Sequence, residues 1–558
     1  MKQQRLPNRR IRLLLAFFVL VFAGTLARAV WLQGVEAGTL GKMATKQHRE
    51  TFEIAAPRGT ITDRTGEPLA IGEQAVSVTA NPRLIRNPRR VALAIAHDLD
   101  LEPNDVFDRL ADRTKGFVWV ERKADPIQAG KLQRRGLAGI GFEPEEKRSY
   151  PQGSVAAHVL GYAGIDNRGL DGLERSLDPV LAGTPGKETV VKDPFGRVID
   201  VVATSAERSG HDVQLTLDHQ IQANAEAVLA ETVQRWHAKA ASAIVLDPRT
   251  GAVLAMAVAP RFDANAFGAV SADRRRNRAI TDMYEPGSTF KLVTVSAALA
   301  EGIVTPRTAF TLPTSIRVAD RVIHEHDPRA TERMTVARIL AQSSNVGTVT
   351  IAEELGGDKL ARWIDRFGFG KPTGVDFPGE SGGAVLPRER WSGSTIGTVP
   401  IGQGIAVTPM QMASVYAAIG NRGVLMPPHL VERVDGVKRN HGAGRRVISR
   451  TVAAQVMTML RGVVDAGTGT SAAVPGYTVA GKTGTANKPE GGGYSTSKYV
   501  ASFVGLVPAT SPRLAIMVMV DEPKGAIFGG VVAAPAFQDI ARFHLQYLEV
   551  PPDAPLPG

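Results

Sequence analysis

Near the N-terminus of this 558-residue chain lies a stretch, residues 13–27, that contains no charged side chain. After Arg28 the apolar run continues to Leu32, which brings it to the roughly 20 residues that a helix needs to cross a bilayer. The long stem of Arg28 can carry its charge to the far interface, where Trp31 also belongs. The pattern predicts a transmembrane anchor over residues 13–32.

The residues around this stretch set its orientation. Five basic residues and no acid precede it, and positive charge stays on the cytoplasmic side of a membrane span. We predict a cytoplasmic tail over residues 1–12 and an exported chain after residue 32. A cleaved signal peptide is the alternative, because Ala27-Arg28-Ala29 resembles an A-x-A cleavage site. Both interpretations export the rest of the chain, and the lack of a second apolar stretch excludes a transporter.

The composition excludes several kinds of chemistry. The chain has no cysteine, which excludes disulfides, thiolate metal sites and a cysteine nucleophile. Its net charge of +11 favours anionic partners such as lipid headgroups, an acidic polymer or nucleic acid. The apolar and charged fractions, 43% and 22%, are those of a globular protein, and a prior of about 150 residues per domain predicts several units.

We divide the exported part into residues 33–215, rich in proline, glycine and charge, and residues 216–548. In the first region APRGTITDRTGEPLA, residues 56–70, places apolar residues on either side of a D-R-T-G turn, which predicts a β-hairpin. Glycine turns surround a short helix in residues 161–186. Neither segment carries a catalytic set, so we interpret the region as a scaffold.

The second region has strands, helices and strands in that order. SAIVLDPRTGAVLAMAV, residues 242–258, is a hairpin of two apolar strands; helices fill about 290–465; three strands return within residues 477–520. The strands at the two ends can pair in one antiparallel sheet with helices on its faces, an α+β fold with α/β/α layers. Residues 549–558 are predicted to form a flexible tail.

The segment PGSTFK, residues 286–291, places a serine three residues before a lysine. Apolar residues follow at helical spacing, so we expect Ser288 to begin a helix with Lys291 one turn on, on the same face. A serine hydroxyl needs a base to become a nucleophile. A lysine whose pKa falls toward neutrality can act as that base, while the N–H groups of the helix stabilise an oxyanion.

Ser-x-x-Lys alone is a weak signal, because about two copies are expected by chance in a chain of this length. Ser495 and Lys498 form a second copy in a glycine-rich loop, which we interpret as the chance match. A second motif strengthens the hypothesis for Ser288. AQSSNVG lies at a break between two helical patterns, where a loop can direct Ser343 and Asn345 into a cleft.

The third motif, GKTGT, ends a predicted strand. Its Lys-Thr-Gly core is expected only about 0.1 times by chance. A lysine with neighbouring hydroxyls suits the binding of a carboxylate by charge and hydrogen bonds; the residues are Lys482, Thr483, Gly484 and Thr485. The three motifs in this order are typical of β-lactamases and penicillin-binding proteins.

On these motifs the chain resembles the class B penicillin-binding proteins, and among them the transpeptidases of cell division. The resemblance covers nearly the whole chain, including the tail and anchor, RGTITDRTGEPLA, GLDGLERSLDP, EPGSTFK, SSNVG, GQGIAVTPMQMA and KTGTA. It implies a β-rich pedestal domain over residues 33–215. It also implies a transpeptidase domain over residues 216–548, with a five-stranded antiparallel sheet between helices.

The resemblance implies that the motifs carry out an acyl transfer. Ser288 attacks the penultimate D-Ala carbonyl of a peptidoglycan stem peptide and expels the terminal D-Ala, while Lys291 takes the serine proton. Ser343 relays a proton to the leaving amine, with Lys291 or Lys482 nearby. A neighbouring stem peptide then accepts the acyl group, and β-lactams trap Ser288.

The remaining motif residues are implied to bind the substrate. Asn345 holds its amide, and the terminal carboxylate is held by Lys482, Thr483 and Thr485, with Gly484 between them. The N–H groups of Ser288 and Thr485 form the oxyanion hole. The reaction needs neither a metal nor a cofactor.

The implied partners are lipid II-derived glycan strands with their stem peptides, β-lactams as inhibitors, an FtsW-type glycosyltransferase beside the anchor, and division regulators on the pedestal. Nucleic acid is not among them. The implied location is the inner membrane at the division septum, with the catalytic domain in the periplasm.

Three other segments have ordinary explanations. HEHD, residues 324–327, lacks a third metal ligand and is interpreted as a polar surface segment. RRRNR, residues 274–278, is interpreted as a solvated basic face near the cleft rather than a nucleic-acid site. GQGIAVTPMQMA, residues 402–413, lacks the strand and lysine of a nucleotide loop, so we expect it to pack near the active-site wall.

The residues leave other functions open. A D,D-carboxypeptidase or a β-lactamase uses the same motifs but needs a base that activates water, and no glutamate is recognisably placed for that role. An elongation-specific class B transpeptidase is a second alternative. A scaffold that only recognises muropeptides is a third, against which the full catalytic set argues.

Overall fold

The computed structural model describes residues 8–35, 38, 49–192, 198–327 and 329–555. The chain forms a mixed α+β fold, as predicted. It divides into two compact units, one of Met1–Pro57 with Gly183–Ser209 and one of Arg58–Ala182 with Gly210–Gly558.

The first unit contains the apolar N-terminal helix. An α-helix runs over Asn8–Val30 and continues as a π-helical turn over Trp31–Val35. The 27 residues from Arg9 to Val35 are long and apolar enough to cross a membrane, and they include the predicted anchor. The unit also contains an antiparallel three-stranded sheet of Arg49–Ile54, Gly186–Lys192 and Val198–Ser205.

A seven-stranded sheet lies in the second unit. The hairpin predicted in residues 56–70 forms within it, because Ile61–Thr62 pairs antiparallel with Pro68–Ala80. Strand Val213–Leu215 pairs with Ile61–Thr62 on one side and with Val431–Val434 on the other, so both predicted regions of the exported chain contribute to the sheet. The other strands are Val118–Ala124, Ile140–Ser149 and Val437–Lys438.

Short helices accompany this sheet. Several begin with proline behind a capping side chain, such as Asn87 and Asp125, which is the favoured way to start a helix. The predicted short helix in residues 161–186 is a pair of helices. The helices are Pro88–Leu99, Pro103–Ala111, Pro126–Arg134, Ala157–Leu160, Gly172–Ser176 and Asp178–Leu181.

The predicted antiparallel sheet of the second region is confirmed as a five-stranded sheet. Its strands in spatial order are Val253–Ala259, Ala240–Leu246, Leu514–Asp521, Gly493–Val507 and Ala480–Glu490. The last of these, the Lys482 strand, lies at one edge. An edge strand leaves one row of backbone groups free of the sheet, which suits a substrate-binding position.

Helices cover both faces of this central sheet. Along one strand, Ala243 and Val245 belong to one apolar core and Ile244 and Leu246 to another, as the alternation of strand side chains requires. Helices His219–Arg235 and Ala534–Tyr547 pack in the first core, and Lys291–Ala300, Pro409–Gly420 and Arg450–Ala466 pack in the second. The predicted α/β/α layering is confirmed.

Residues 290–465 are not helical throughout, so that prediction is wrong in part. Short strands pair Ala309–Leu312 with Glu332–Thr335, and Ser315–Val318 with Arg321–His324. Pairs this short depend on partners elsewhere in the fold, which the local pattern does not encode. The other α-helices are Ala272–Arg275, Arg278–Thr281, Val336–Ala341, Asn345–Leu355, Gly357–Phe367, Thr395–Thr398 and Gly529–Val532.

The described part of the predicted flexible tail is hydrogen-bonded to residues that flank strands of the central sheet. Asp553 accepts hydrogen bonds from the Thr478 N–H, at 2.7 Å, and from the Thr510 hydroxyl, at 2.5 Å. The Tyr477 hydroxyl donates to the Val550 carbonyl at 2.6 Å. The prediction of flexibility is therefore wrong for residues 549–555, while the last three residues lie outside the described part.

Candidate active site

Ser288 lies on a helical turn that leads directly into the helix of Lys291. The turn, Gly287–Phe290, is a 3-10 helix, and an α-helix continues over Lys291–Ala300. Side chains three residues apart eclipse one another in a 3-10 helix, so Ser288 and Lys291 share a face as predicted. Ser288 is half-buried and Lys291 is fully buried.

The Ser288 turn is pressed between two other backbones. Gly287 has a φ of +54°, and a Cβ there would lie 2.7 Å from the Thr485 carbonyl oxygen. On the other side, a Cβ at Gly402 would lie 2.1 Å from the Gly287 carbonyl oxygen, and the Gly287 N–H donates to the Gly402 carbonyl at 3.0 Å. The expectation that residues 402–413 pack beside the active-site wall is confirmed.

A hydrogen bond from helix Pro409–Gly420 also holds the Ser288 turn in place. The Tyr416 hydroxyl, fully buried on helix Pro409–Gly420, donates to the Thr289 carbonyl at 2.9 Å. That helix starts with a capping box formed by Thr408 and Gln411. The turn therefore has a single backbone conformation that three separate segments enforce.

The Ser343 turn, residues 342–345, lies between helices as predicted. It links Val336–Ala341 to Asn345–Leu355, and Ser343 adopts a left-handed backbone with a φ of +57°. The Lys291 amine donates to the Ser343 carbonyl at 2.5 Å and to Asn345 Oδ1 at 2.7 Å, and it lies 3.2 Å from Ser343 Oγ. Residues of two predicted motifs thus meet at one amine.

The Lys482 strand carries the third motif. Lys482 is fully buried, and its amine donates to the carbonyl and hydroxyl of Thr483, at 3.2 and 3.3 Å. The Thr483 hydroxyl forms a 2.7 Å hydrogen bond with the hydroxyl of Thr468, a residue that no sequence motif pointed to.

Gly484 and Thr485 connect this strand to the Ser288 turn. A Cβ at Gly484 would lie 2.9 Å from the Pro286 carbonyl oxygen and 2.4 Å from Ser502 Oγ, so only glycine allows this approach. The Thr485 hydroxyl accepts a 3.1 Å hydrogen bond from the Gly529 N–H. The strand therefore lies directly beside the Ser288 turn.

Two buried amines dominate the electrostatics of the cleft. Burial and the neighbouring charge of Lys482 hold the pKa of Lys291 well below its usual value; Glu325 opposes this shift and Arg329 adds to it. Burial lowers the pKa of Lys482 to about 7. A lysine in this environment is populated in its neutral form near neutral pH and can accept a proton.

The Ser288 hydroxyl forms no hydrogen bond with another described residue. The Lys291 amine, one turn away, is directed at Ser343 and Asn345 in this arrangement. Catalytic hydrogen bonds often tighten only when substrate binds. A neutral amine has one lone pair and two N–H groups, so it can keep two of its present acceptors while it takes the serine proton.

The segment HEHD was interpreted as polar surface, and this is wrong for Glu325. The Glu325 side chain is only 5% exposed and hydrogen-bonds the Ser343 turn, while the His324 carbonyl accepts from the Asn345 amide at 3.0 Å. His326 and Asp327 are exposed, as expected. The pattern predicted the exposure of His326 and Asp327 correctly, but not the packing of Glu325 against a distant turn.

The basic run RRRNR differs from the expected solvated face. Arg278 is 7% exposed and forms ion pairs with Asp273 and Asp282, at 2.7 and 3.0 Å. The Arg275 guanidinium lies 5.2 Å from the centre of the Tyr162 ring, within the roughly 6 Å of a cation–π contact. The run is therefore largely structural.

Two groups of possible metal ligands occur among the described residues, and both are outside the cleft: His429, Glu432 and His441, and Asp63, Asp218 and His219. The rings of His429 and His441 stack at 3.7 Å with an 11° angle, so their lone pairs lie in parallel planes and do not converge. Asp63 already accepts a 2.6 Å hydrogen bond from His219. In both groups the side chains are therefore engaged with one another.

Comparison with known proteins agrees with this geometry. The penicillin binding protein transpeptidase domain matches residues 241–542, and the penicillin-binding protein dimerisation domain matches residues 53–215. The probable peptidoglycan D,D-transpeptidase PenA of Neisseria meningitidis is 34% identical, over 100% of this chain and 95% of that protein. The peptidoglycan D,D-transpeptidase FtsI of Escherichia coli is 34% identical, over 98% and 93%.

A solved structure supports the same assignment. Penicillin binding protein 3 from Mycobacterium tuberculosis, complexed with aztreonam, superposes with a TM-score of 0.71 at 32% identity, over 90% of this chain and 99% of that chain. A serine beside two buried lysines, at the edge of an antiparallel sheet between helices, defines a penicillin-recognising acyltransferase domain. The chain belongs to the class B penicillin-binding proteins, with FtsI and PenA among its relatives.

Proposed function

We propose that the chain is a peptidoglycan D,D-transpeptidase that works through a serine acyl-enzyme at Ser288. The observation that carries the proposal is the fully buried Lys291 amine, which contacts Ser343 and Asn345 one turn from Ser288. The relatives named peptidoglycan D,D-transpeptidases span nearly the whole chain, which supports the substrate class.

Acylation begins with Ser288. Its oxygen bonds to the carbonyl carbon of the penultimate D-Ala while its proton passes to the neutral Lys291 amine. The N–H groups of Ser288 and Thr485 stabilise the oxyanion. The C–N bond then breaks, and the leaving D-Ala amine receives a proton through Ser343, so that Lys291 is neutral again.

The other motif residues position the peptide. Lys482, with the hydroxyls of Thr483 and Thr485, holds the terminal carboxylate, and Gly484 leaves room for the backbone to approach. Asn345 holds the amide of the stem peptide. An amine of a neighbouring stem peptide attacks the acyl-enzyme and forms the cross-link, and the Ser288 hydroxyl regains its proton.

The position of the protein in the cell follows from the same proposal. Residues 1–12 lie in the cytoplasm, residues 13–32 anchor the chain in the inner membrane, and the pedestal, 33–215, and transpeptidase domain, 216–548, lie in the periplasm. FtsI among the relatives supports a role at the division septum, where an FtsW-type glycosyltransferase and division regulators are the expected partners.

Labelling of the full-length protein with a fluorescent penicillin tests the proposal. We expect a covalent adduct that Ser288→Ala abolishes. Ser495→Ala is the matched control, because it removes the serine of the second Ser-x-x-Lys copy, which lies on a strand of the central sheet. Labelling that persists in Ser288→Ala contradicts the proposal, and fast release of penicilloate by the wild type identifies a hydrolase instead.

A further inference from the structure

Glu325 makes a set of contacts that the catalytic motifs do not account for. It follows strand Arg321–His324, and its side chain is 5% exposed. One carboxylate oxygen accepts from the Asn345 N–H at 2.9 Å. The other accepts from the Ser344 hydroxyl at 2.6 Å and from the Val346 N–H at 3.3 Å.

These contacts complete the N-terminus of the helix Asn345–Leu355. Ser344 is its N-cap and accepts from the Gly347 N–H at 2.9 Å. The first two N–H groups of the helix, those of Asn345 and Val346, donate instead to the Glu325 carboxylate, which comes from another segment. A carboxylate is favoured at this end of a helix, where the backbone dipole is positive.

Arg329 completes the group as the counter-ion. It pairs with the Glu325 carboxylate and donates to the Ser344 hydroxyl at 2.7 Å. Its side chain is 20% exposed, so this ion pair is largely shielded from water and depends on its hydrogen bonds. Glu325, Arg329 and Ser344 therefore bind one another in a closed triangle beside the cleft.

The same segment determines how Asn345 is oriented. The His324 carbonyl accepts from Asn345 Nδ2 at 3.0 Å, which leaves Oδ1 to accept from the Lys291 amine at 2.7 Å. Glu325 binds the backbone of the same residue. Asn345 is thus held at its side chain and at its main chain by two consecutive residues.

The Ser343 turn needs such support because its backbone is strained. Ser343 has a φ of +57°, a conformation that a side chain other than glycine or asparagine rarely adopts, and its carbonyl is thereby directed at the Lys291 amine. Without a fixed helix start on its C-terminal side, the turn would relax away from the amine.

We propose that Glu325, with Arg329 as its counter-ion, is a positioning residue of the active site that holds Ser343 and Asn345 against the Lys291 amine. The proposal deepens the transpeptidase function and rests on it. It assigns no contact with substrate to Glu325, which acts through the turn that it binds.

The pH dependence separates this role from that of a simple helix cap. The charged groups that act on the Lys291 amine are Lys482 and Arg329, which lower its pKa, and Glu325, which raises it. Acylation needs the neutral amine, so the rate rises with pH through this pKa. Removal of the Glu325 charge moves the rise to lower pH, and removal of the Arg329 charge moves it to higher pH.

The experiment measures the rate of acylation by fluorescent penicillin against pH for full-length wild type, Glu325→Gln and Arg329→Gln. We expect Glu325→Gln to acylate roughly 10- to 100-fold more slowly, because a displacement of about 1 Å costs about 100-fold. The acid limb is the part of the pH profile in which the acylation rate rises with pH. We expect it to move to lower pH in Glu325→Gln and to higher pH in Arg329→Gln. Glu325→Asp, which keeps the charge, should recover the wild-type limb.

Asp327→Asn is the matched control. Asp327 lies two residues after Glu325 and carries the same charge, but its side chain is 95% exposed. The substitution should leave the rate and the pH profile unchanged. A Glu325→Gln variant with the wild-type rate and limb overturns the inference, as do limbs of Glu325→Gln and Arg329→Gln that move in the same direction. The transpeptidase function fails separately, if Ser288→Ala keeps its label.

Discussion

At the scale of single residues, the cleft depends on backbone conformations that few side chains tolerate. Ser343 adopts the left-handed conformation at a cost of about 1–2 kcal/mol, which its bond to Lys291 and the fixed start of the next helix offset. Gly287 has the same handedness and no room for a Cβ. Ser343 thus pays a backbone cost and Gly287 avoids one, and both positions leave the segments around Ser288 and Lys291 little freedom.

Gly287→Ala tests how tightly the Ser288 turn is packed. The new methyl group would lie 2.7 Å from the Thr485 carbonyl oxygen, so the turn must move away from the Lys482 strand. We expect acylation by penicillin to slow roughly 10- to 100-fold. The measurement is the acylation rate of purified wild type and Gly287→Ala under conditions where both proteins are folded.

Gly302→Ala is the control for this substitution. Gly302 has a φ of +69° but nothing within 4 Å of its Cβ position, so the variant carries the conformational cost without the clash. We expect it to lose about 1–2 kcal/mol of stability and to keep the wild-type acylation rate. Equal rates in the two variants would show that the clash does not reach Ser288.

At the scale of secondary-structure elements, helix Pro409–Gly420 supports the nucleophile. It is buried along nearly its whole length, and its Tyr416 hydroxyl reaches the Thr289 carbonyl. Burial raises the pKa of Tyr416 well above its usual value, so the hydroxyl stays a hydrogen-bond donor. The helix is therefore a support for the Ser288 turn as well as a layer of the core.

Tyr416→Phe should destabilise the protein by about 1–3 kcal/mol, because it leaves the buried Thr289 carbonyl without its donor. Tyr284→Phe is the matched control. Tyr284 is also buried, but its hydroxyl has no hydrogen-bond partner among the described residues, so its loss should be neutral or stabilising. Thermal unfolding of both variants gives the comparison, and equal shifts of Tm would contradict the role of the Tyr416 hydroxyl.

At the scale of the whole molecule, the larger unit is held together by a buried charge cluster as well as by its apolar cores. Glu174 is fully buried and accepts from Arg58 at 2.7 Å and from Arg148 at 2.6 Å. Arg58 also pairs with Asp178 at 2.7 Å. Arg58 comes from RGTITDRTGEPLA, Glu174 and Asp178 come from GLDGLERSLDP, and Arg148 comes from strand Ile140–Ser149, so the cluster joins both scaffold segments.

Glu174→Gln should destabilise the larger unit by about 3–5 kcal/mol, because it leaves buried guanidinium groups without their carboxylate. Glu231→Gln is the control: that carboxylate is 69% exposed and pairs with the exposed Arg235, so its loss should have little effect. Chemical denaturation of the full-length protein measures both. Similar small changes in the two variants would mean that the buried cluster contributes specificity rather than stability.

The sequence by itself determined the local features of this protein. The anchor helix, the two hairpins, the strands of the central sheet and the three motifs all follow from patterns of neighbouring residues, because apolar periodicity and turn chemistry act over a few residues. The rarity of Lys-Thr-Gly beside Ser-x-x-Lys and Ser-x-Asn was enough to predict Ser288 as the nucleophile.

The tertiary structure alone decided which distant segments meet. Glu325 was visible in the sequence, but its contact with Asn345 depends on two short strands whose pairing no local pattern encodes. The same holds for Asp553, which lies in a tail that composition marked as flexible, yet binds Thr478 just before the Lys482 strand. Packing and burial fix such contacts, because they depend on volumes and charges that the chain brings together only when it folds.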